Sequence, residues 1–258
     1  MSRINLYTTF YNEKNEVRKN ELLSCIQNNL NNPSIASVTV LNEGASVAYL
    51  HQSKLKNIPI FKRPTYKDFI DFIKKNSNQD DIHIIANTDI FFDKHIAVLE
   101  HVLDQNTCFA LSRWDTTKSN KPLLYNHNDS QDVWIFKGPI QKELKVDFPL
   151  GVPRCDNRFL HELQEAGYEV LNPAFSIKAY HLHRRLRDSV YTEADNTYKI
   201  QPPYRYLYPH NIYGLWKTLL LNGTQSHKLG SYRYDIKKIK RWLSVRIIRK
   251  IFEVISNK

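Results

Sequence analysis

Glycine is scarce in this sequence, with 7 among 258 residues. The first polar segment, TTFYNEKNE at residues 8–16, contains none. That argues against a nucleotidyltransferase, which wraps phosphate in the backbone amides of a glycine-rich loop. Cysteine is also sparse. Cys25, Cys108 and Cys155 are widely spaced, odd in number and form no CxxC pair. No disulfide framework suggests itself, and the expectation is a reducing compartment. No window approaches the roughly 18 apolar residues of a membrane-spanning helix. The first seven residues turn polar at once, without the apolar core of a secretory signal. The expected location is therefore the cytoplasm or the cytoplasmic face of a membrane. There is no internal repeat and no low-complexity tract.

What is present supports a packed core. Hydrophobic residues make up 41% of the chain and aromatics 12%, which excludes a disordered composition. The length fits one large domain, or one domain with an appendage. The formal charge of +11 is uneven. From position 230 onward nine basic residues face only Asp235 and Glu253, a surplus of seven, which leaves +4 for the rest of the chain. The basicity is thus a local device, and it lies outside the expected folded body.

Read in order, residues 4–10 (INLYTTF) predict a buried strand. Helical spacing follows over 16–30, with Val17, Leu22, Leu23, Ile26 and Leu30 on one side. Residues 36–41 and 58–61 predict further strands, and Thr65 predicts a helix cap. The apolar run 82–86 predicts a strand, Asp93 predicts a cap for a helix reaching residue 103, and 108–111 predicts another strand. Strand alternating with helix is the signature of a mostly parallel α/β sheet. Beyond that point the pattern loosens. Residues 113–130 read as a polar loop, 132–136 as a strand and 147–158 as a loop with two prolines. Residues 159–166 read as a helix ended by Gly167. Strands follow at 168–171 and 176–180. We place one domain over 1–200 and an extension over 201–258.

In parallel α/β sheets, ligands bind beyond the carboxyl ends of the strands. YNE (11–13), NEG (42–44) and NTD (87–89) would all lie at that edge. Each also fits the plainer reading of polar residues that cap helices. His181 and His183 alternate along a strand and point to opposite faces.

Four segments together resemble GT-A glycosyltransferases, in particular the large inverting family that includes many bacterial polysaccharide enzymes. They are TTFYNE, NTDIFFD, CDNRFLHELQEAGYEV and YHLH, spanning roughly residues 4–185. The resemblance implies a GT-A, Rossmann-like sheet and transfer of a sugar from a nucleotide-diphosphate sugar to a glycan or lipid-linked acceptor. It implies Asp156 as general base. It implies donor contacts from Thr8, Tyr11, Asn12, Glu13, Glu43, Asn87 and Asp89, with the Tyr11 ring stacking on the base. It implies Mn²⁺ or Mg²⁺ held by Asp89 and His181, because hard cations take oxygen ligands and polarise the leaving diphosphate. Two departures bear on this. Asn87 stands where the family's DxD motif has its first aspartate, and Cys155 stands where an acid usually precedes Asp156. Asp156 also fits a plain cap of the helix starting near Arg158; as a base, it is expected to be kept ionised by the helix N-terminus. Acceptor contacts are expected from Trp114, Asp115, Asp132 and Trp134, since sugar C–H faces pack on tryptophan; Trp134 equally fits the core. Arg184 and Arg185 fit either a phosphate clamp or a solvated loop.

The tail adds a partner. Ile236, Ile239, Leu243, Ile247, Ile251 and Val254 form an apolar stripe over 232–255, surrounded by lysine and arginine. That pattern suits an interfacial helix on an anionic membrane, and it also suits a helix packed on the domain. Nucleic acid is disfavoured, as no RNA-binding motif appears. The competing classes are a catalytically degenerate GT-A relative, a retaining transferase, and a binding protein that uses the basic tail.

Overall fold

The computed structural model describes residues 2–45, 50, 52–116, 121–182 and 199–212. The apolar opening forms β1 (Ile4–Phe10). Asn15 then caps α1 (Glu16–Asn31) by accepting from the Arg18 amide. β2 (Ile35–Asn42) and β3 (Leu55–Pro59) follow. At α2 (Tyr66–Asn76) the Thr65 hydroxyl and the Asp68 carboxylate form a reciprocal capping box. β4 (Ile82–Ala86) is wholly buried and leads to β5 (Ile90–Phe92). Asp93 accepts from the His95 amide and starts a 3₁₀ turn, Lys94–Val98, that runs into the single-turn α3 (Leu99–Val102). The chain continues through β6 (Thr107–Leu111), β7 (Arg113–Thr116), β8 (Leu123–Leu124) and β9 (Val133–Lys137). α4 (Cys155–Glu165), β10 (Glu169–Leu171) and β11 (Ala179–Leu182) complete the described elements.

These strands build two sheets. The larger has seven strands in the order β10-β6-β9-β4-β1-β2-β3, and every strand but β9 runs one way. The fold is therefore α/β, a mostly parallel sheet flanked by helices, as the alternating pattern predicts. The smaller sheet has four strands, β5-β11-β7-β8. One core joins Trp134, Tyr66 and Phe159, with ring centroids 4.1–6.3 Å apart, to α2 and α4. A second, smaller core gathers Trp114, Leu124, Ala174 and Phe175.

Several expectations are corrected here. Residues 113–130 contain β7 and β8 rather than only loop. The sequence hides their alternation because one face of β7 carries Arg113 and Asp115, which are bonded to other charged groups. β5 was not foreseen, and β11 covers 179–182 rather than 176–180. The helix expected over 93–103 is mostly 3₁₀. α4 begins at Cys155, four residues earlier than expected, since the buried Cys155 thiol packs 3.7 Å from the Tyr66 hydroxyl. Its end matches the reading: Gly167, at φ +78°, bonds back to Gln164, and Tyr168 bonds to Leu163. The three cysteines are buried and free.

A compact unit spans Met1–Pro209, and a second spans His210–Lys258. The segment 232–255, with His183, Arg184 and Arg185, lies outside the described residues. Among the described residues no helix is long and apolar enough to cross a membrane.

Candidate active site

The parallel strands β1, β2 and β4 end at one edge, so the loops YNE, NEG and NTD converge there. The Glu43 amide donates to the Phe10 carbonyl at 2.8 Å. The Thr88 hydroxyl donates to the Thr9 carbonyl at 2.7 Å and ties the NTD loop to β1. Because β9 runs antiparallel, its start rather than its end lies at this edge. That brings Asp132 to Asn87: the Asn87 side-chain amide donates to Asp132 Oδ1 at 2.8 Å, and the Asn87 backbone amide donates to the Asp132 carbonyl at 3.1 Å.

Beyond the edge stands the smaller sheet. Its register pairs His181 with Asp115 across β11 and β7, and with Ile90, next to Asp89, across β11 and β5. The result is a chain of alternating charge. Arg18, on the first turn of α1, pairs with Glu21 at 3.2 Å and with Asp89 Oδ2. His181 Nε2 lies 3.1 Å from the same Asp89 oxygen, and its Nδ1 lies 2.9 Å from Asp115 Oδ1. Arg113 bonds Asp115 at 2.9 Å and Asp132 at 3.2 Å. Burial alone would push Asp89 up, but the hydrogen bond and charge of His181, joined by Arg18, hold its carboxyl well below the usual range. Burial opposes a charge on His181 as well; Asp115 and Asp89 outweigh it and raise the ring to about 9.

Asp156 sits on the first turn of α4, half-buried. Its Oδ2 accepts from the Gln131 amide at 3.3 Å and its Oδ1 from the Asn157 amide at 2.9 Å. Burial pushes it up to about 7, and the Asp132 and Asp129 carboxylates add to the rise against those two amides. The helix N-terminus is expected to keep this group ionised; burial and like charge oppose it and raise its proton affinity. Asp156 is not the helix cap. Arg154 holds that position in a left-handed conformation, φ +70°, without a side-chain capping bond.

The remaining expected residues divide. Tyr11 and Asn12 are exposed, and Glu13 accepts from the Tyr11 hydroxyl at 3.1 Å. Glu43 is half-buried, and burial raises it. Thr8 is 2% exposed, with its hydroxyl on Thr88 at 3.4 Å, so it braces the loop rather than facing a ligand. Asp115 and Asp132 belong to the charge chain. Trp114 and Trp134 do not offer ring faces to an acceptor. Trp134 is wholly buried, and Trp114 is 3% exposed and donates to the Ala174 carbonyl at 2.7 Å. Arg18 and Arg113 were missed. The signal that could have found Arg18 is a basic residue one helical turn from Glu21, inside the segment that follows YNE.

A divalent cation fits this donor set poorly. His181 has a carboxylate oxygen at hydrogen-bond distance from each ring nitrogen. Carboxylates only accept, so both nitrogens donate and no lone pair is left for a metal. As arranged, His181 offers an ion neither nitrogen. Asp89 Oδ2 already receives two cationic donors, and only the buried Oδ1 lacks a hydrogen-bond partner. No group of three His, Cys, Asp or Glu side chains suited to a metal occurs among the described residues.

No protein-family model matches the chain, and no curated sequence matches it. Among solved structures, the chain is similar to the mannosyltransferase PcManGT from Pyrobaculum calidifontis, in complex with GDP-Man and Mn²⁺. The identity is 12% and the TM-score 0.47, over 72% of this chain and 58% of that one. It is similar to S. aureus TarS 1-349 in complex with UDP-GlcNAc, at 10% identity and TM-score 0.48, over 74% and 62%. It is also similar to GalNAc-T7 with UDP, GalNAc and Mn²⁺, at 8% identity and TM-score 0.47, over 73% and 45%. The chain spans about half to three fifths of the length of these proteins.

Proposed function

We propose that this chain is a glycosyltransferase that moves a sugar from a nucleoside-diphosphate donor to a hydroxyl of a glycan or lipid-linked acceptor, with inversion. The observation that carries the reading is Asp156. It is a half-buried carboxyl raised to about 7 at the edge of a parallel sheet, one residue's reach from Asp132 and so from the NTD loop. A carboxyl with that affinity for protons is matched to general-base work near neutral pH. Asp156 takes the acceptor's hydroxyl proton as its oxygen forms the new bond to the anomeric carbon. The bond from that carbon to the diphosphate breaks, and its electron pair leaves on the diphosphate oxygen. Tyr11, Asn12, Glu13 and Glu43 line the loops where base and ribose would lie. A divalent cation, which the resemblance implies, would supply Lewis-acid help to that leaving group, but the donor set fits it poorly.

We assign catalysis to the first compact unit and contact with an anionic membrane to 232–255. The sequence pattern alone supports the second assignment, and a lipid-linked acceptor gives it a physical motive. The test of the reading is a panel of UDP-, GDP-, TDP- and CMP-sugars, scored for binding and for transfer. Asp156→Asn should lower transfer about 10²–10⁴-fold and leave donor affinity within a few-fold, because the base acts on the acceptor. Full activity in that variant removes Asp156 from the role. Donor binding with no turnover in the wild type would favour a degenerate relative.

A further inference from the structure

We infer that the positive charge which faces a donor's diphosphate at this site is supplied by Arg18 of the chain itself, so that nucleoside-diphosphate binding is independent of divalent metal. The inference rests on the nucleotide-sugar reading and deepens it.

The argument is one of donors and geometry. Asp89 is the single acidic side chain of the NTD loop, and its Oδ2 is shared by the Arg18 guanidinium and His181 Nε2. A magnesium or manganese ion takes about six oxygen ligands at close to 2 Å, among them water and phosphate, and needs one or two accessible carboxylates from the protein. The three other carboxylates in the charge chain are each bonded to a cation already: Glu21 to Arg18, Asp115 to Arg113 and His181, Asp132 to Arg113. The motif's first position holds an amide, and that amide's nitrogen is turned to Asp132. His181, fixed between two carboxylates, has each ring nitrogen on a carboxylate oxygen and offers neither to an ion. The NTD loop thus leaves a metal one carboxylate oxygen, itself buried, and sets the Arg18 guanidinium where a metal would bring its charge.

Arg18 is placed to meet phosphate. Arg18 rises from the first turn of α1, directly after the YNE loop, and its side chain keeps 21% exposure. The exposed Tyr11 lies within electrostatic reach of both Arg18 and Asp89. A planar guanidinium suits phosphate oxygens as well as carboxylates. In this arrangement Asp89 is a positioning residue. It orients Arg18 at the edge instead of binding an ion.

The experiment is calorimetric titration of the full chain with UDP and with GDP, in EDTA and again with MnCl₂. Alongside it, Mn²⁺ alone is followed by its paramagnetic resonance signal. The expected result is a nucleotide dissociation constant that agrees within about two-fold between the two conditions, with Mn²⁺ alone remaining free at submillimolar concentration. Arg18→Met should weaken binding in EDTA about ten-fold or more, and Arg18→Lys should recover part of the loss. Binding that needs Mn²⁺, uptake of Mn²⁺ alone that Asp89→Asn abolishes, or unchanged affinity in Arg18→Met would overturn the inference while leaving the nucleotide-sugar reading in place. Failure of both nucleotides in both conditions would overturn that reading and the inference with it. If Arg18→Met does not fold, the comparison of EDTA with Mn²⁺ in the wild type still decides.

Discussion

Asn87 stands where the family resemblance leads one to expect an aspartate, and Asp132 explains the substitution. The two side chains meet at 2.8 Å, and one of them must donate. An aspartate at 87 would set two carboxylates in contact at a partly buried edge and discard the donor. We expect Asn87→Asp to cost about 1–3 kcal/mol, the usual penalty for an unmade bond at a charged, part-buried site. Thermal unfolding at pH 7 should show a fall in Tm of several degrees; an unchanged or higher Tm contradicts this account. The same residue shows what could be read in advance. The chain order of Asn87, Asp89, Asp156 and His181 was legible because it resembles a known spacing. Their partners were not, because Asp132 reaches Asn87 only when β9 runs antiparallel, and no local pattern states a strand's direction. The tryptophans failed for a related reason: composition shows an aromatic ring but not whether its face meets a core or a cleft.

At the scale of elements, α1 does more than bury leucines. Its polar Asn29 is 2% exposed, and its side chain donates to the Ile90 carbonyl at 2.9 Å while accepting from the Phe92 amide at 3.1 Å. Asn32, the residue after the helix, bonds the carbonyls of Phe92 and Asp93. Helix α1 thereby fixes one edge of β5 and, through β5, the strand that carries His181. This is why a three-residue strand persists with no hydrophobic periodicity of its own. Asn29→Leu would leave a buried amide and a buried carbonyl unpaired, and should cost about 2–4 kcal/mol. Denaturant unfolding would measure it, and a loss below about 0.5 kcal/mol would show that β5 is held by other means. The elements that were foreseen accurately, β1, β4 and the end of α4, are those specified locally: two continuous apolar runs, and a helix stopped by a glycine at positive φ.

Over the whole molecule, the sheet order decides which residues meet. Strands β1, β2 and β4 run together, β9 runs against them, and the smaller sheet stands beyond their common edge. That arrangement gathers Arg18, Asp89, Asp115, His181, Arg113, Asp132 and Asp156 from elements spread over most of the described chain. The alternating signs of charge leave one carboxyl, Asp156, with no cation bonded to it and with its proton affinity raised by burial and by Asp132. The central claim is that this carboxyl is the base. It is most directly tested by the pH dependence of kcat/KM, measured with whichever donor the nucleotide-sugar panel identifies. A base must be ionised to take a proton, and Asp156 ionises as pH rises through about 7. The account therefore predicts a rate that climbs about ten-fold per pH unit well below 7 and levels off above it. A rate already level from pH 5 upward, or one that falls across this range, would contradict the assignment of Asp156.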